Sequence, residues 1–407
     1  MEWITIVYLI YIFIAFYFFS LFFLIYIRNR KTLFNYPPIQ KHFSISAIVP
    51  CWNEGRNVLE TVKAIMKTDY DNLKEIILVN DGSTDNTLEY MLKAKKQFKI
   101  IKILNKENSG KADSINQALK IAKGELVAII DADSFPKSDV FSKLVGYFED
   151  SKIGVVTVPH LSRRKENFLD RVHTYYQILV ATNRKFLEIL DGVYVTPGPM
   201  SLYRKKALED IGGFDTENIT EDIEATWHLA KNGWKRKMCL ATTTTTLLPN
   251  TLKKFFNQRV RWSIGGLQTA AKYKKEFFKS NMVSYFILPY FILSIFLGIF
   301  AIFFFLFLFG KRIFESYIFF NSIYITNGSF FSLFEFNFFP HIIFILSIFL
   351  IIITSIFSLL MLMMLEENFL KTKNIKFFFV YLIFLGIIQS VIFITAIFKF
   401  IKKDIKW

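Results

Sequence analysis

The chain has 407 residues, 53% of them hydrophobic and 48 of them phenylalanine, and its formal net charge at pH 7 is +16. This apolar content excludes an ordinary soluble domain. The charge does not indicate nucleic-acid binding, because the sequence has no basic, aromatic-interleaved recognition module; membrane orientation and anionic substrates account for it instead.

The first predicted element is a membrane-spanning helix within residues 1–30. Residues 4–27 form a nearly uncharged run that is long enough to cross about 30 Å of hydrocarbon as a helix. The run lacks the basic start and the small-residue cleavage site of a signal peptide, and Arg28, Arg30 and Lys31 follow it directly, so we interpret it as a retained anchor. The basic cluster predicts that the following residues are cytoplasmic.

Residues 42–248 have a globular composition in which short apolar runs alternate with helix-like segments. This alternation is typical of an α/β domain with a mostly parallel sheet. Two cysteines, Cys51 and Cys239, do not indicate a disulfide framework, and a reduced compartment fits them. The predicted strands are 46–50, 76–79, 100–104, 126–130 and 154–158, and the predicted helices are 58–66, 87–96 and 112–122.

The first three predicted strands end in polar loops. The first strand leads from Pro50 to Glu54, and the second leads into Asp81, which could accept hydrogen bonds from a nucleobase or ribose. After the third strand, Gly110 and Lys111 open a helix and offer a cation beside backbone N–H groups, which suits a diphosphate. Taken singly, each loop is better explained by turn and helix-cap chemistry, and Lys111 by a solvated lysine.

The fourth predicted strand delivers two acids, Asp131 and Asp133, with only Ala132 between them. Ligands of open parallel sheets bind in the crevice at the carboxyl ends of the strands. Carboxylate oxygens there suit Mg²⁺ or Mn²⁺, which often share their ligands with substrate phosphates. For an isolated motif of this length, a solvated loop with two surface acids is the alternative.

After the domain, residues 249–278 mix aromatic and basic side chains in the manner of an amphipathic helix on the cytoplasmic membrane face. The C-terminal region, 280–407, contains three further apolar segments, at 282–309, 341–365 and 377–398. Three spans would leave the basic C-terminus outside, against the charge rule. An additional crossing by 318–339 would remove that conflict, although its asparagines make it a poor span.

Several short segments occur in an order that resembles one protein family. They are VPCWNE, VNDGSTD, NSGKADSIN and IIDADS, followed by TED at 220–222 and QRVRW at 258–262. This order resembles the membrane-integrated members of the inverting family 2 glycosyltransferases, which include poly-N-acetylglucosamine, hyaluronan, chitin and cellulose synthases. The resemblance covers about residues 44–265. It implies a GT-A-type nucleotide-diphospho-sugar transferase domain inserted between transmembrane helices.

The resemblance also implies roles for single residues on the donor side. Asp131 and Asp133 would carry the metal ion on the diphosphate, where it would neutralise the charge that builds on the leaving UDP. The nucleotide-binding residues by resemblance are Pro50, Glu54, Asp81, Lys111 and Asp131.

On the acceptor side, the resemblance implies that Asp222, next to Glu221, is the general base. The alternative for both acids is a structural one, as N-terminal residues of a helix capped by Thr220. Gln258, Arg261 and Trp262 would face the active site, with Arg261 near the diphosphate and Trp262 near the acceptor terminus. Residues 196–203, a Pro- and Gly-rich turn, would line the acceptor path or simply connect two elements.

The implied function is that of an inverting, processive β-glycosyltransferase of the plasma membrane, with UDP-N-acetylglucosamine as the leading donor and a growing polysaccharide as the acceptor. One alternative is transfer of a single sugar to a lipid carrier or glycolipid. Another is a non-catalytic membrane subunit or channel that binds nucleotide or polymer, against which the intact acids argue. The implied partners are the UDP-sugar, a polysaccharide or lipid-linked acceptor and the lipid bilayer, with an accessory membrane subunit left open.

Overall fold

The computed structural model describes residues 2–164, 168–279, 281–326, 342–365 and 374–404. Within these ranges the chain forms a large sheet, a small sheet and a set of flanking helices. The strands are β1 (Ile45–Cys51), β2 (Leu73–Asp81), β3 (Ile101–Lys106), β4 (Leu126–Ile129), β5 (Ser134–Pro136), β6 (Ile153–Thr157), β7 (His160–Ser162), β8 (Ser201–Arg204), β9 (Lys235–Met238) and β10 (Thr244–Thr246).

The helices divide into those of the domain and those that follow or precede it. Short 3₁₀ or π turns occupy Gly146–Glu149, Lys274–Glu276 and Val283–Ile287. The α-helices are α1 (Glu2–Asn29), α2 (Asn57–Met66), α3 (Thr87–Gln97), α4 (Lys111–Ile121), α5 (Val140–Val145), α6 (Phe168–Ile189), α7 (Lys205–Asp210), α8 (Glu221–Lys231), α9 (Leu252–Lys272), α10 (Leu288–Thr326), α11 (Ile342–Leu365) and α12 (Asn374–Ile401).

The large sheet has seven strands in the order β3-β2-β1-β4-β8-β6-β9. Only β8 runs antiparallel to its neighbours β4 and β6, and the other neighbouring pairs are parallel. The prediction of an α/β domain with a mostly parallel sheet is therefore confirmed. The predicted turn at 196–203 is partly wrong, because Ser201–Arg204 forms β8 and pairs on both sides.

Two apolar layers cover the large sheet. On one face, side chains of α2, α3 and α5 pack against β1, β2 and β4, and on the other face α4, α7 and α8 do the same. Burial of each aliphatic side chain contributes about 1.5–3 kcal/mol. Because both faces are covered, the accessible part of the sheet is its edge, where the carboxyl ends of β1, β2 and β4 meet.

The small sheet, β5-β10-β7, joins this edge of the domain. Thr244–Thr246, within the threonine run at 242–246, forms its central strand, as β-branched residues favour. The pairing brings Thr246 beside the DAD motif, where its Oγ1 donates to Asp133 Oδ1 at 3.3 Å.

Three helices in the described ranges are long and apolar enough to cross a membrane: Ile4–Asn29, Val283–Ile325 and Ile345–Leu365. Helix α12 contains a shorter apolar stretch, Gly386–Ile401. The predicted segment 282–309 lies within a continuous helical stretch that runs on to residue 326, and most of 318–339 lies outside the described residues. The number of C-terminal spans stays a prediction.

The domain contacts the apolar helices through α6 and α9. Phe255 and Ile264 of α9 pack with Ile392 and Ala396 of α12, and α6 packs against α11 and α12. The α9 helix that carries the QRVRW motif is therefore packed directly against the apolar helix α12.

Candidate active site

A cavity of about 990 Å³ opens at the carboxyl ends of β1, β2 and β4. Its walls come from the strand-end loops, from α8 and α9, and from the apolar helices α10 and α12. Every residue that the sequence predicts for the site lines this one cavity: Pro50, Glu54, Asp81, Lys111, Asp131, Asp133, Glu221, Asp222, Gln258, Arg261 and Trp262.

Asp81, at the end of β2, shapes the loop that opens α4. Its two carboxylate oxygens accept from the backbone N–H groups of Ser109 and Gly110, each at 2.9 Å, and Lys106 forms an ion pair with it. A carboxylate has about four acceptor positions. Asp81 therefore holds the loop and has capacity left for one further donor, such as a nucleobase N–H.

Lys111, the first residue of α4, joins the DAD and TED motifs. Its Nζ lies 2.6 Å from Asp131 Oδ1 and 2.9 Å from Glu221 Oε1. Burial alone would lower the pKa of Lys111, but the charges of Asp131, Glu221 and Asp222 outweigh it and raise the pKa. The lysine thus stays protonated and holds two loops together, which the sequence analysis did not foresee.

The carboxylates of the donor side repel one another. Burial, together with the charge of Asp133, raises the pKa of Glu54 to about 7. Burial, together with the charge of Asp131, raises the pKa of Asp133 to about 6. Carboxylate oxygens whose negative charge is only partly neutralised by the protein fit a hard divalent cation. In the described ranges no group of three or more His, Cys, Asp and Glu side chains is arranged to hold a metal ion, so substrate oxygens or water would have to complete its shell.

Glu221 and Asp222 begin α8 and occupy different electrostatic environments. Burial would raise the pKa of Glu221, but Lys111 lowers it by charge and hydrogen bonding. Burial and the charge of Glu221 raise the pKa of Asp222 to about 6. Neighbouring carboxyl groups with pKa values driven apart are typical of an acid–base site. Thr220 does occupy the N-cap position of α8, and both acids lie in its first turn, but the Thr220 side chain makes no capping hydrogen bond and donates to Asn218 Oδ1 at 3.2 Å instead. The role of Asp222 as the base stays a prediction.

Helix α9 supports the loop that precedes Asp222. Arg261 Nη1 donates to the Ile219 carbonyl at 3.3 Å, and Gln268 Oε1 accepts from Ile219 N–H at 3.1 Å. Gly265 makes the close approach possible, since a Cβ there would lie 1.9 Å from Thr220 Oγ1. Helix α9, which carries QRVRW, therefore contacts and supports the TED motif directly.

The loop 196–200, which leads into β8, lies in the cavity wall next to Lys111. A Cβ on Gly198 would lie 2.5 Å from Lys111 Nζ and 3.0 Å from Asp131 Oδ1. The Thr196 hydroxyl is hydrogen-bonded to the Thr226 hydroxyl of α8, with 2.7 Å between their Oγ1 atoms. The loop is thus packed against the charged centre, and its assignment to the acceptor path stays a prediction.

Several residues of this cavity were not predicted from the sequence. Trp52, 57% exposed, stands on the wall beside Glu54, and Arg184 and Arg259 lie buried in the lining. Arg184 carried no signal, because a single arginine in an amphipathic helix is usually solvated. Gly265 could have been found from the sequence, because it is the first of two consecutive glycines shortly after QRVRW in a predicted helix.

This fold and this arrangement of acids, lysine and QxxRW helix define a glycosyltransferase of the GT-A class. The chain belongs to glycosyltransferase family 2, because residues 42–265, more than half of the chain, match the family described as "Glycosyltransferase like family 2". The predicted family and fold class are both confirmed.

Two related synthases are similar in sequence to this chain over part of their length. Poly-beta-1,6-N-acetyl-D-glucosamine synthase from Staphylococcus aureus (strain COL) is 32% identical over 265 residues, which are 65% of this chain and 63% of that protein. The synthase from Staphylococcus epidermidis is 32% identical over 248 residues, 60% of each chain. The match thus spans less than two thirds of these relatives.

One solved structure supports the fold alone. A mannosyltransferase from Pyrobaculum calidifontis, in complex with GDP-Man and Mn²⁺, superposes with a TM-score of 0.53 at 23% identity, covering 67% of this chain and 76% of that one.

Proposed function

We propose that this protein is an inverting, processive glycosyltransferase that adds N-acetylglucosamine from UDP-N-acetylglucosamine to a growing β-linked polysaccharide. The observation that carries the proposal is the convergence of the DAD, TED and QRVRW motifs on one cavity, where the charges of both Lys111 and Arg261 act on Asp222. The likeness to poly-beta-1,6-N-acetyl-D-glucosamine synthases supports the choice of sugar.

On the donor side, Asp81 and Glu54 bind the nucleoside and the Trp52 ring stacks on its base. Asp131 and Asp133 would hold Mg²⁺ or Mn²⁺, which would supply positive charge for the diphosphate. Lys111 and Arg261 add protein cations on the same side, so the charge that develops on the leaving UDP is stabilised by fixed groups.

On the acceptor side, the carboxylate of Asp222 accepts the proton of the acceptor hydroxyl as the hydroxyl oxygen attacks the anomeric carbon. The bond between that carbon and the UDP oxygen breaks in the same displacement, so an α-linked donor gives a β-linked product. Glu221 stays ionised against Lys111 and keeps the pKa of Asp222 raised. A base with a pKa near neutrality is well matched to this proton transfer.

The membrane side of the cavity supports processive transfer. Trp262 offers a flat ring for the terminal sugar, and Tyr290 and Ser294 of α10 and Gln389 of α12 continue the wall beyond it. A polymer that extends away from Asp222 therefore passes between α10 and α12, and α10 belongs to the candidate membrane span Val283–Ile325. We infer a multi-pass plasma-membrane protein with its catalytic domain in the cytoplasm, with or without an accessory membrane subunit.

Product analysis with the purified full chain tests this proposal. UDP-N-acetylglucosamine, UDP-glucose and UDP-glucuronate, each labelled in the sugar, are offered separately with Mg²⁺ or Mn²⁺. We expect long products from UDP-N-acetylglucosamine only, and none from the Asp222→Asn variant. Products that carry a single sugar on a lipid would overturn processivity, unchanged transfer by Asp222→Asn would exclude Asp222 as the base, and no transfer by the wild type from any of the three donors would favour the non-catalytic alternative.

A further inference from the structure

Two buried arginines line the membrane side of the cavity without a compensating anion. Arg184 of α6 is 6% exposed and Arg259 of α9 is 3% exposed. Within the described ranges no carboxylate lies at ion-pair distance from either guanidinium. The Nε and Nη1 atoms of Arg184 and all three nitrogens of Arg259 also lack a described hydrogen-bond partner of good geometry.

Unpaired charges of one sign are unfavourable in a buried site. Burial lowers the pKa of Arg259, and the positive charge of Arg184 lowers it further. Burial also lowers the pKa of His160, as do the positive charges of both arginines. His160 therefore stays neutral and contributes no third cation. Burial lowers the pKa of Arg184, and the charge of Asp222 opposes that effect through space without an ion-pair contact.

Aromatic rings hold Arg259 in this position. Its guanidinium carbon lies 3.9 Å from the ring centre of Tyr176 and 4.2 Å from that of Trp262, and Phe255 is at 5.1 Å. Cation–π contacts of this kind stabilise the guanidinium through its faces. The Tyr176 side chain also acts on this guanidinium as a hydrogen-bonding group. Among the described residues no carboxylate accepts from its N–H groups, so the contacts orient the arginine and leave it without an anionic partner.

We propose that Arg184 and Arg259 form a phosphate subsite on the acceptor side, and that its ligand is the phosphate group of a membrane lipid that carries the acceptor. The inference rests on the proposed glycosyl transfer and names its first acceptor. Guanidinium forks match the oxygens of a phosphate, whereas a neutral glycan offers no countercharge.

The surroundings of the pair favour a lipid as the source of the phosphate. Phe291 and Ser294 of α10 and Gln389 and Phe393 of α12 line the same cavity. Helix α10 belongs to the candidate membrane span Val283–Ile325, so an acyl or isoprenoid tail can lie along it while the headgroup reaches the arginines.

Thermal unfolding of the purified full chain in maltoside micelles, which contain no phosphate, tests the subsite. Saturating UDP and Mg²⁺ keep the donor side occupied, and the added probes are phosphatidic acid, diacylglycerol with the same tails, or inorganic phosphate. We expect phosphatidic acid to raise the unfolding midpoint and diacylglycerol to leave it unchanged. Inorganic phosphate that reproduces the full shift at equal concentration would overturn the lipid assignment.

Matched variants connect the shift to the arginines. Arg184→Gln and Arg259→Gln should need at least tenfold more phosphatidic acid for the same shift, whereas Lys93→Gln, a charge removal at an exposed pair with Glu89, should behave as the wild type. Without lipid, Arg184→Gln should unfold at an equal or higher temperature, because an unpaired buried charge is removed. A lower midpoint with an intact lipid shift would overturn the proposal.

Transfer assays separate this inference from the proposed function. If UDP-N-acetylglucosamine is not consumed although the lipid shift depends on Arg184, the proposed function fails and the subsite stands. If the sugar is transferred equally well by wild type and both arginine variants at limiting lipid, the subsite fails and the function stands.

Discussion

A Cβ atom on Gly265 would lie 1.9 Å from Thr220 Oγ1, so α9 can reach the TED motif only because position 265 has no side chain. The same loop is tied to α9 by the Asn218–Thr269 side-chain hydrogen bond at 2.8 Å and by Arg261 on the Ile219 carbonyl. The position of Asp222 therefore depends on how closely two helices approach.

Replacing this glycine should affect the reaction more than donor binding. We expect Gly265→Ala to reduce the transfer rate at least tenfold, because α9 or Thr220 must shift and Asp222 moves with it. The affinity for UDP should change little. Steady-state transfer and UDP titration measure the two effects, and Gly386→Ala, where a Cβ meets nothing within 4 Å, is the matched control. Equal loss of UDP binding would indicate general misfolding instead.

The pH dependence of transfer should report Asp222. With a pKa of about 6, raised by burial and by Glu221, the base is ionised at pH 7 and becomes protonated as the pH falls. We expect kcat/KM to fall tenfold per pH unit below about pH 6. Asp222→Asn should lose about 10²–10⁴-fold in rate at all pH values. A flat profile between pH 5 and 8 would contradict this assignment.

Two charged neighbours of Asp222 should shift the pH profile of transfer in opposite directions. The negative charge of Glu221 raises the pKa of Asp222, and the positive charge of Lys111 lowers it. Glu221→Gln should therefore shift the acidic limb to lower pH, and Lys111→Met should shift it to higher pH. Lys120→Met, an exposed charge removal on the same helix, should leave the limb unchanged. Shifts of the same sign in both variants would exclude Asp222 as the titrating group.

The elements that were predicted from the sequence are those with a clear local pattern. Runs such as 126–130 were recognised because a strand covered on both faces is apolar throughout. The start of β2 was missed because Glu75 interrupts its pattern; the structure buries that side chain, 3% exposed, against Lys102 at 2.5 Å and Ser46 at 2.8 Å. A paired charge can occupy a strand, and its partner is not visible in sequence.

Contacts between distant segments were harder to predict than the motifs that make them. Family resemblance identified Lys111 and Glu221 separately, but their ion pair depends on how α4 and α8 are placed on the same face of the sheet. Helix α10 continues past the predicted segment to Thr326, and Lys311 and Glu315, four residues apart and 3.6 Å from each other, form an ion pair within that continuation. Arg184 became informative only once its missing counterion was seen.

Metal dependence should appear in stability as well as in activity. Chelation, or Asp133→Ala, should abolish transfer while the domain stays folded. Asp133→Asn should not lower the metal-free unfolding temperature at pH 7, because the raised pKa of Asp133 means that its ionised form is disfavoured in the folded state. Added Mn²⁺ should raise the unfolding temperature of the wild type and not of the variant. Turnover that persists in chelator would contradict the metal assignment.

Product length should depend on the ring of Trp262. Stacking on Arg259, at 4.2 Å, holds the indole in a fixed orientation in the cavity wall, where it can carry the terminal sugar between rounds of transfer. We expect Trp262→Ala to shorten the products several-fold while the rate of the first transfer falls less, because a chain that is held less firmly dissociates more often. Trp262→Phe should retain longer products, since it keeps a flat apolar face. Chain-length analysis under single-hit conditions measures the effect, and products of unchanged length in Trp262→Ala would exclude this ring as the acceptor platform.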